Sequence, residues 1–135
     1  MKKSKTHKQK PNNARIAPAP ARKGRYFATL RASLNLYPPQ LPAVRDAQRA
    51  ALHAVGEHLY SHPKVSGLIV MPTGSGKSAV IVASPILAGA ERVLVITPSR
   101  LVRQQLAQNF TRMLDPSRLG LIPKGTSEQV PRIVV

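Results

Sequence analysis

The residues best suited to chemistry are Met71-Pro72-Thr73-Gly74-Ser75-Gly76-Lys77-Ser78. Holding a polyphosphate on a loop takes a ring of backbone N–H groups aimed at phosphate oxygens. Gly74 and Gly76 permit backbone angles and a closeness of approach that a side chain would block. Thr73 and Ser75 belong to the same ring. Lys77 can reach the β- and γ-phosphates of a nucleotide, and the Ser78 hydroxyl can ligate Mg²⁺. A helix starting at the loop adds its positive dipole end. The general pattern Gly-x-x-x-x-Gly-Lys-Ser/Thr is met from Gly76 onward, with Met71 in place of the first Gly. The bland alternative is a Gly-rich turn with a solvated lysine, and the flanking elements weigh against it. The loop itself does not separate ATP from GTP.

Those elements are read from apolar spacing. Gly67 to Pro72 is a short, wholly apolar run, expected as a buried parallel strand. A helix from about Gly76 follows, with Pro85 expected to end or kink it. Arg92 to Thr97 predicts a second buried strand, and Ser99 to Leu114 a second helix that Asp115-Pro116 stops. Upstream, Ala43 to Tyr60 predicts a helix with Val44, Ala47, Ala51, Val55 and Leu59 on one stripe. Tyr26 to Leu41 is a linker whose first part fits a short helix or strand. Residues 117–130 read as loop, with room for one short element around Leu119 to Ile122, and Ile133-Val134-Val135 as the start of a third strand. The order is helix, strand, helix, strand, helix, strand. The two clear strands start about 25 residues apart, a right-handed crossover length, so the expected fold is α/β: a parallel sheet flanked by helices.

The loop resembles motif I of superfamily 2 helicases and translocases, which carry a small residue or Met, followed by x-Thr-Gly-Ser-Gly-Lys. Two further segments match. Arg45-Asp46-Ala47-Gln48-Arg49-Ala50-Ala51 resembles the Arg-x-x-Gln-x-x-Ala segment upstream of motif I. Val93-Leu94-Val95-Ile96-Thr97-Pro98-Ser99-Arg100-Leu101-Val102-Arg103-Gln104-Gln105 resembles motif Ia and its helix. The three lie in family order over roughly residues 42–135, similar to the branch holding type III restriction helicases and the excision-repair helicase. The resemblance implies a partial RecA-like P-loop domain, ATP and Mg²⁺ as ligands, and nucleic acid, DNA by the branch, as partner.

Gln48 is the candidate adenine reader, because a carboxamide offers a donor and an acceptor to adenine N6 and N7. The resemblance implies that Arg45 helps frame that pocket. Without motif I downstream, both would read as polar residues on the solvent side of a helix. Tyr37 could stack on the base or simply be a packed aromatic. At Thr97-Pro98-Ser99-Arg100 a strand gives way to a helix whose terminus Thr97 or Ser99 can cap, leaving free N–H groups that suit phosphate. Arg100 and Arg103 add charge. The resemblance implies that Pro98, Ser99, Arg100 and Arg103 touch a nucleic-acid backbone; ordinary capping with solvated arginines is the alternative. His58 and His62 lack a third metal ligand and read as a solvated helix end.

ATP hydrolysis in this class needs a strand ending in Asp-Glu to organise Mg²⁺ and the attacking water. None of Asp46, Glu57, Glu91, Asp115 and Glu128 sits in that context. With an apparent strand at residues 133–135, the expectation is an N-terminal fragment of a longer motor ATPase. The rest of the motor would lie in a missing C-terminal region, and the fragment at best would bind nucleotide weakly.

Composition bounds these readings. The chain has 135 residues, no cysteine and a net charge of +16. Disulfides and thiolate metal sites are thereby excluded. Residues 1–25 hold nine basic residues and no acid, and read as a disordered basic arm. The remainder, the linker 26–41 and the domain 42–135, holds twelve basic residues and all five acids. Both parts favour a polyanionic partner. No apolar run is long enough to span a bilayer and no secretory signal is visible, so a soluble cytoplasmic protein is expected. Two rival readings are a different P-loop enzyme such as a small kinase, and a noncatalytic basic nucleic-acid-binding protein with a phosphate-binding loop. The kinase reading predicts a lid or acceptor site, and the sequence offers none.

Overall fold

The computed structural model describes residues 25–39, 44–124, 131, 133 and 134. The basic arm up to residue 24 therefore lies outside the described residues, as does residue 135 of the expected third strand. Five helices follow in order: α1 (Tyr26–Arg31), α2 (Asp46–Ser61), α3 (Lys77–Ala88), α4 (Arg100–Arg112) and α5 (Leu114–Arg118).

α3 is the centre. It is apolar nearly all round, as a helix buried on several sides must be. Val82 and Ile86 face one cluster with Phe27, Leu30, Leu106, Phe110, Met113 and Ile122. Val80 and Ala83 face a second with Val44, Ala51, Leu52 and Leu121. In the first, the Phe27 and Phe110 rings meet edge to face at 6.3 Å. In the second, Leu52 is fully buried, a burial that contributes about 1.5–3 kcal/mol. Tyr26 packs at the margin, where burial pushes its phenol pKa up.

The expected α/β architecture is overturned. Among the described residues there is no strand, and the parallel sheet of a RecA-like domain is absent. Residues 67–72 and 92–97 connect helices without a single ladder hydrogen bond between them. Most of their apolar side chains, expected to be buried, are exposed: Leu68 is 89%, Val70 84%, Leu94 85% and Ile96 84% exposed, while Met71 packs against the second cluster. A strand exists only when a neighbour pairs with it, so β-propensity in a run of Val, Leu and Ile is no more than a preference. Here the helices bury their apolar faces on one another instead, with α3 as the common partner.

Three local expectations also change. Pro85 neither ends nor breaks α3; it is buried inside it, and the helix runs on to a left-handed cap at Gly89. The stripe expected on α2 is shifted: Ala47 is exposed, whereas Gln48, Ala51 and Leu52 are buried. The loop expected from residue 117 starts later, because Asp115-Pro116 opens α5 rather than ending structure. The joint is Met113, a buried non-glycine residue at φ 45°. That conformation costs roughly 1–2 kcal/mol. The Met113 side chain buried in the first cluster and an Asn109–Asp115 clamp across the joint offset it.

Candidate functional site

The loop is built as its glycines require. Gly74 has φ 78° and Gly76 has φ 84°, both in the left-handed region. Gly76 caps the start of α3. The Ser75 hydroxyl and N–H both turn back to the Pro72 carbonyl, at 2.7 and 3.3 Å. The backbone N–H groups of Gly74, Gly76, Lys77 and Ser78 donate to no described residue. Four such donors at a helix start make an anion-binding concavity. Lys77 folds over the loop, its Nζ donating to the carbonyls of Met71 at 2.9 Å and Pro72 at 2.7 Å.

α2 is fastened to this loop by its first residues. Arg45 Nη1 donates to the Gly74 carbonyl. Gln48 Nε2 donates to the Gly76 carbonyl at 3.2 Å, and its Oε1 accepts from the Arg45 N–H at 3.0 Å. The carboxamide thus closes the N-terminus of α2 and reaches the loop at once. Gln48 is only 4% exposed, not on the solvent side of its helix. Its Nε2 is engaged with the loop and its Oε1 with the Arg45 N–H, and one amide hydrogen and one oxygen lone pair remain uncommitted.

A cavity of about 260 Å³ lies against this arrangement. It is lined by Arg45, Gln48, Gly74, Gly76 and Ser78, all singled out in sequence, and by Ala79. Asp115, Arg118 and Leu119 close its other side, and sequence reasoning missed them. They arrive because α5 packs on α3. Nothing in the local pattern of Asp115-Pro116 signals this; only the helix–helix contact places them.

The other predicted residues lie elsewhere. Thr73, Ser75 and Lys77 belong to the loop but not to the cavity wall. Ser99 caps α4, its Oγ accepting from the Val102 N–H at 3.5 Å, while Thr97 Oγ1 donates to the Ser99 carbonyl at 3.1 Å. Pro98, Arg100 and Arg103 are exposed around that helix start and do not reach the cavity. Tyr37 is held against α2: its hydroxyl pairs with His53 Nε2 at 3.0 Å and the Arg49 guanidinium sits 5.0 Å from its ring centre. The His58 and His62 rings stack 5.7 Å apart, and the first contacts the Val65 carbonyl. Among the described residues no group of three or more His, Cys, Asp or Glu could hold a metal. Nor is any helix among them long and apolar enough to cross a membrane.

Comparison with known proteins adds one finding. No curated protein and no solved structure matches the chain. A family model described as type III restriction enzyme, res subunit, matches residues 41–131, a span that takes in α2, the loop and the start of α4. The motif I resemblance is thereby shown at the level of the family, and the chain belongs to the family of type III restriction enzyme res subunits.

Proposed function

We propose that this protein binds ATP with Mg²⁺ through residues 71–78, as the nucleotide-binding part of a DNA-dependent helicase or translocase. The observation that carries the proposal is the joining of α2 to the loop. Arg45 and Gln48 grip the carbonyls of Gly74 and Gly76, while the N–H groups of Gly74, Gly76, Lys77 and Ser78 donate to no described residue. Lys77 then supplies the cation for the phosphate tail. The Ser78 hydroxyl is the protein ligand to a Mg²⁺ that otherwise keeps water and phosphate oxygens. Thr73 and Ser75 shape the loop. The remaining donor and acceptor of Gln48 face adenine, and Arg45 frames the base.

Nucleic acid is the partner at the α4 start. There Pro98, Ser99, Arg100 and Arg103 present a helix N-terminus and two exposed guanidiniums to the phosphate backbone. The net charge of +16 draws that partner in.

The test is equilibrium binding of Mg·ATP to the intact chain and to Lys77→Ala. A lysine–phosphate contact contributes about 1.5–3 kcal/mol, so the variant should bind at least roughly tenfold more weakly. Equal affinity in both proteins would overturn the loop as the ATP site.

A further inference from the structure

We propose that Arg118 contacts the phosphate tail of the bound nucleotide. The inference rests on the loop being the nucleotide site and extends it to a residue far along the chain.

Arg118 lines the same cavity as Gly74, Gly76 and Ser78. The backbone that carries it is firmly set. Asp115 N–H donates to Asn109 Oδ1 at 2.9 Å, and Asn109 Nδ2 returns a bond to Asp115 Oδ2 at 2.7 Å. Behind it, Pro116 is buried and its carbonyl accepts from the Leu121 N–H at 2.8 Å. Leu121 and Ile122 then anchor the segment in the two clusters. Little conformational entropy is left to lose at this backbone when a ligand binds.

The guanidinium itself is uncommitted. It makes no hydrogen bond or ion pair with any described residue. The other cations of the site are engaged: Arg45 with Gly74, and Lys77 with Met71 and Pro72. Arg118 therefore lines the cavity with its donors free, in the planar fork that matches two phosphate oxygens. Asp115 lines the cavity too. Its Oδ2 is engaged by Asn109, and alone it does not outweigh the two arginines of the cavity. Beside one carboxylate and two arginines, with Lys77 on the adjoining loop, a triphosphate is the chemistry that fits.

Arg118→Gln keeps the stem and removes the charge; Arg118→Lys keeps the charge and removes the fork. Both would be titrated with Mg·ATP and with inorganic tripolyphosphate, alongside the parent chain and Lys77→Ala, with thermal midpoints as the folding control. The expected result is a loss of roughly tenfold for the Gln variant toward both ligands. The Lys variant should recover part of it. Unchanged tripolyphosphate affinity in Arg118→Gln, with Lys77→Ala still impaired, overturns the role of Arg118 alone. A loss confined to ATP does the same, since it points away from the phosphates. A parent chain that binds neither ligand, or binds both regardless of Lys77, removes the loop reading and this one with it.

Discussion

Gln48 and Gly76 are mutually dependent. The Gln48 carboxamide donates to the Gly76 carbonyl, and a Cβ on Gly76 would collide with that same carboxamide. Gly76 also sits at φ 84°, where any L side chain is strained. One glycine therefore meets two demands: the turn into α3, and the closeness of α2 to the loop.

Gly76→Ala should destabilise the fold by about 1–2 kcal/mol from the backbone alone, with the collision adding to that, and should weaken Mg·ATP binding. Gly56→Ala is the contrast. Gly56 lies inside α2, where an added Cβ meets nothing within 4 Å. It should stabilise by about 0.4–1 kcal/mol. Urea unfolding of the two variants gives the comparison; the same sign for both would contradict the loop geometry.

Gln48 separates stability from base selection. Gln48→Ala removes the helix closure, a loss of about 1 kcal/mol, and should lower the preference for ATP over GTP. Gln48→Glu keeps the acceptor for the Arg45 N–H but turns the donor facing the Gly76 carbonyl into a second acceptor. In a side chain only 4% exposed, that carboxylate should cost more than the alanine. Denaturant midpoints and paired ATP and GTP titrations measure both effects. A glutamate milder than alanine would mean the Gln48–Gly76 contact contributes nothing.

Residues 1–24 carry eight lysines and arginines. Each phosphate they neutralise adds about 0.9 to the slope of log affinity against log salt on duplex DNA. Deleting them should flatten that slope, leaving the weaker dependence contributed by Arg100 and Arg103. A slope that stays the same places DNA binding outside the arm.

The outward-facing apolar segments can be tested directly. Leu68→Ser with Leu94→Ser alters side chains that are 89% and 85% exposed. Stability should change by no more than about 0.5 kcal/mol, while self-association, read by light scattering, should fall. A loss of stability on the scale of a core truncation, about 2–5 kcal/mol, would mean that these side chains are buried.

What the amino-acid sequence determined by itself is local chemistry. Gly74 and Gly76 at their spacing dictate the turn into α3, because the requirement for positive φ and free N–H groups is met by consecutive residues. The presence of helices α2 and α4, and a cap for α4 at Thr97 or Ser99, are legible for the same reason. The pairing of residues 67–72 and 92–97 is not local: whether an apolar run becomes a strand depends on a neighbour to share hydrogen bonds, and here α3 meets helices instead. Pro85 shows the same limit, since burial between neighbours holds it within α3 despite its missing donor. Tertiary structure alone decided that Gln48 turns inward to the loop. It alone brought Asp115 and Arg118 across from α5 to the same cavity as Ser78, because packing on α3 joins residues that no spacing in the chain connects.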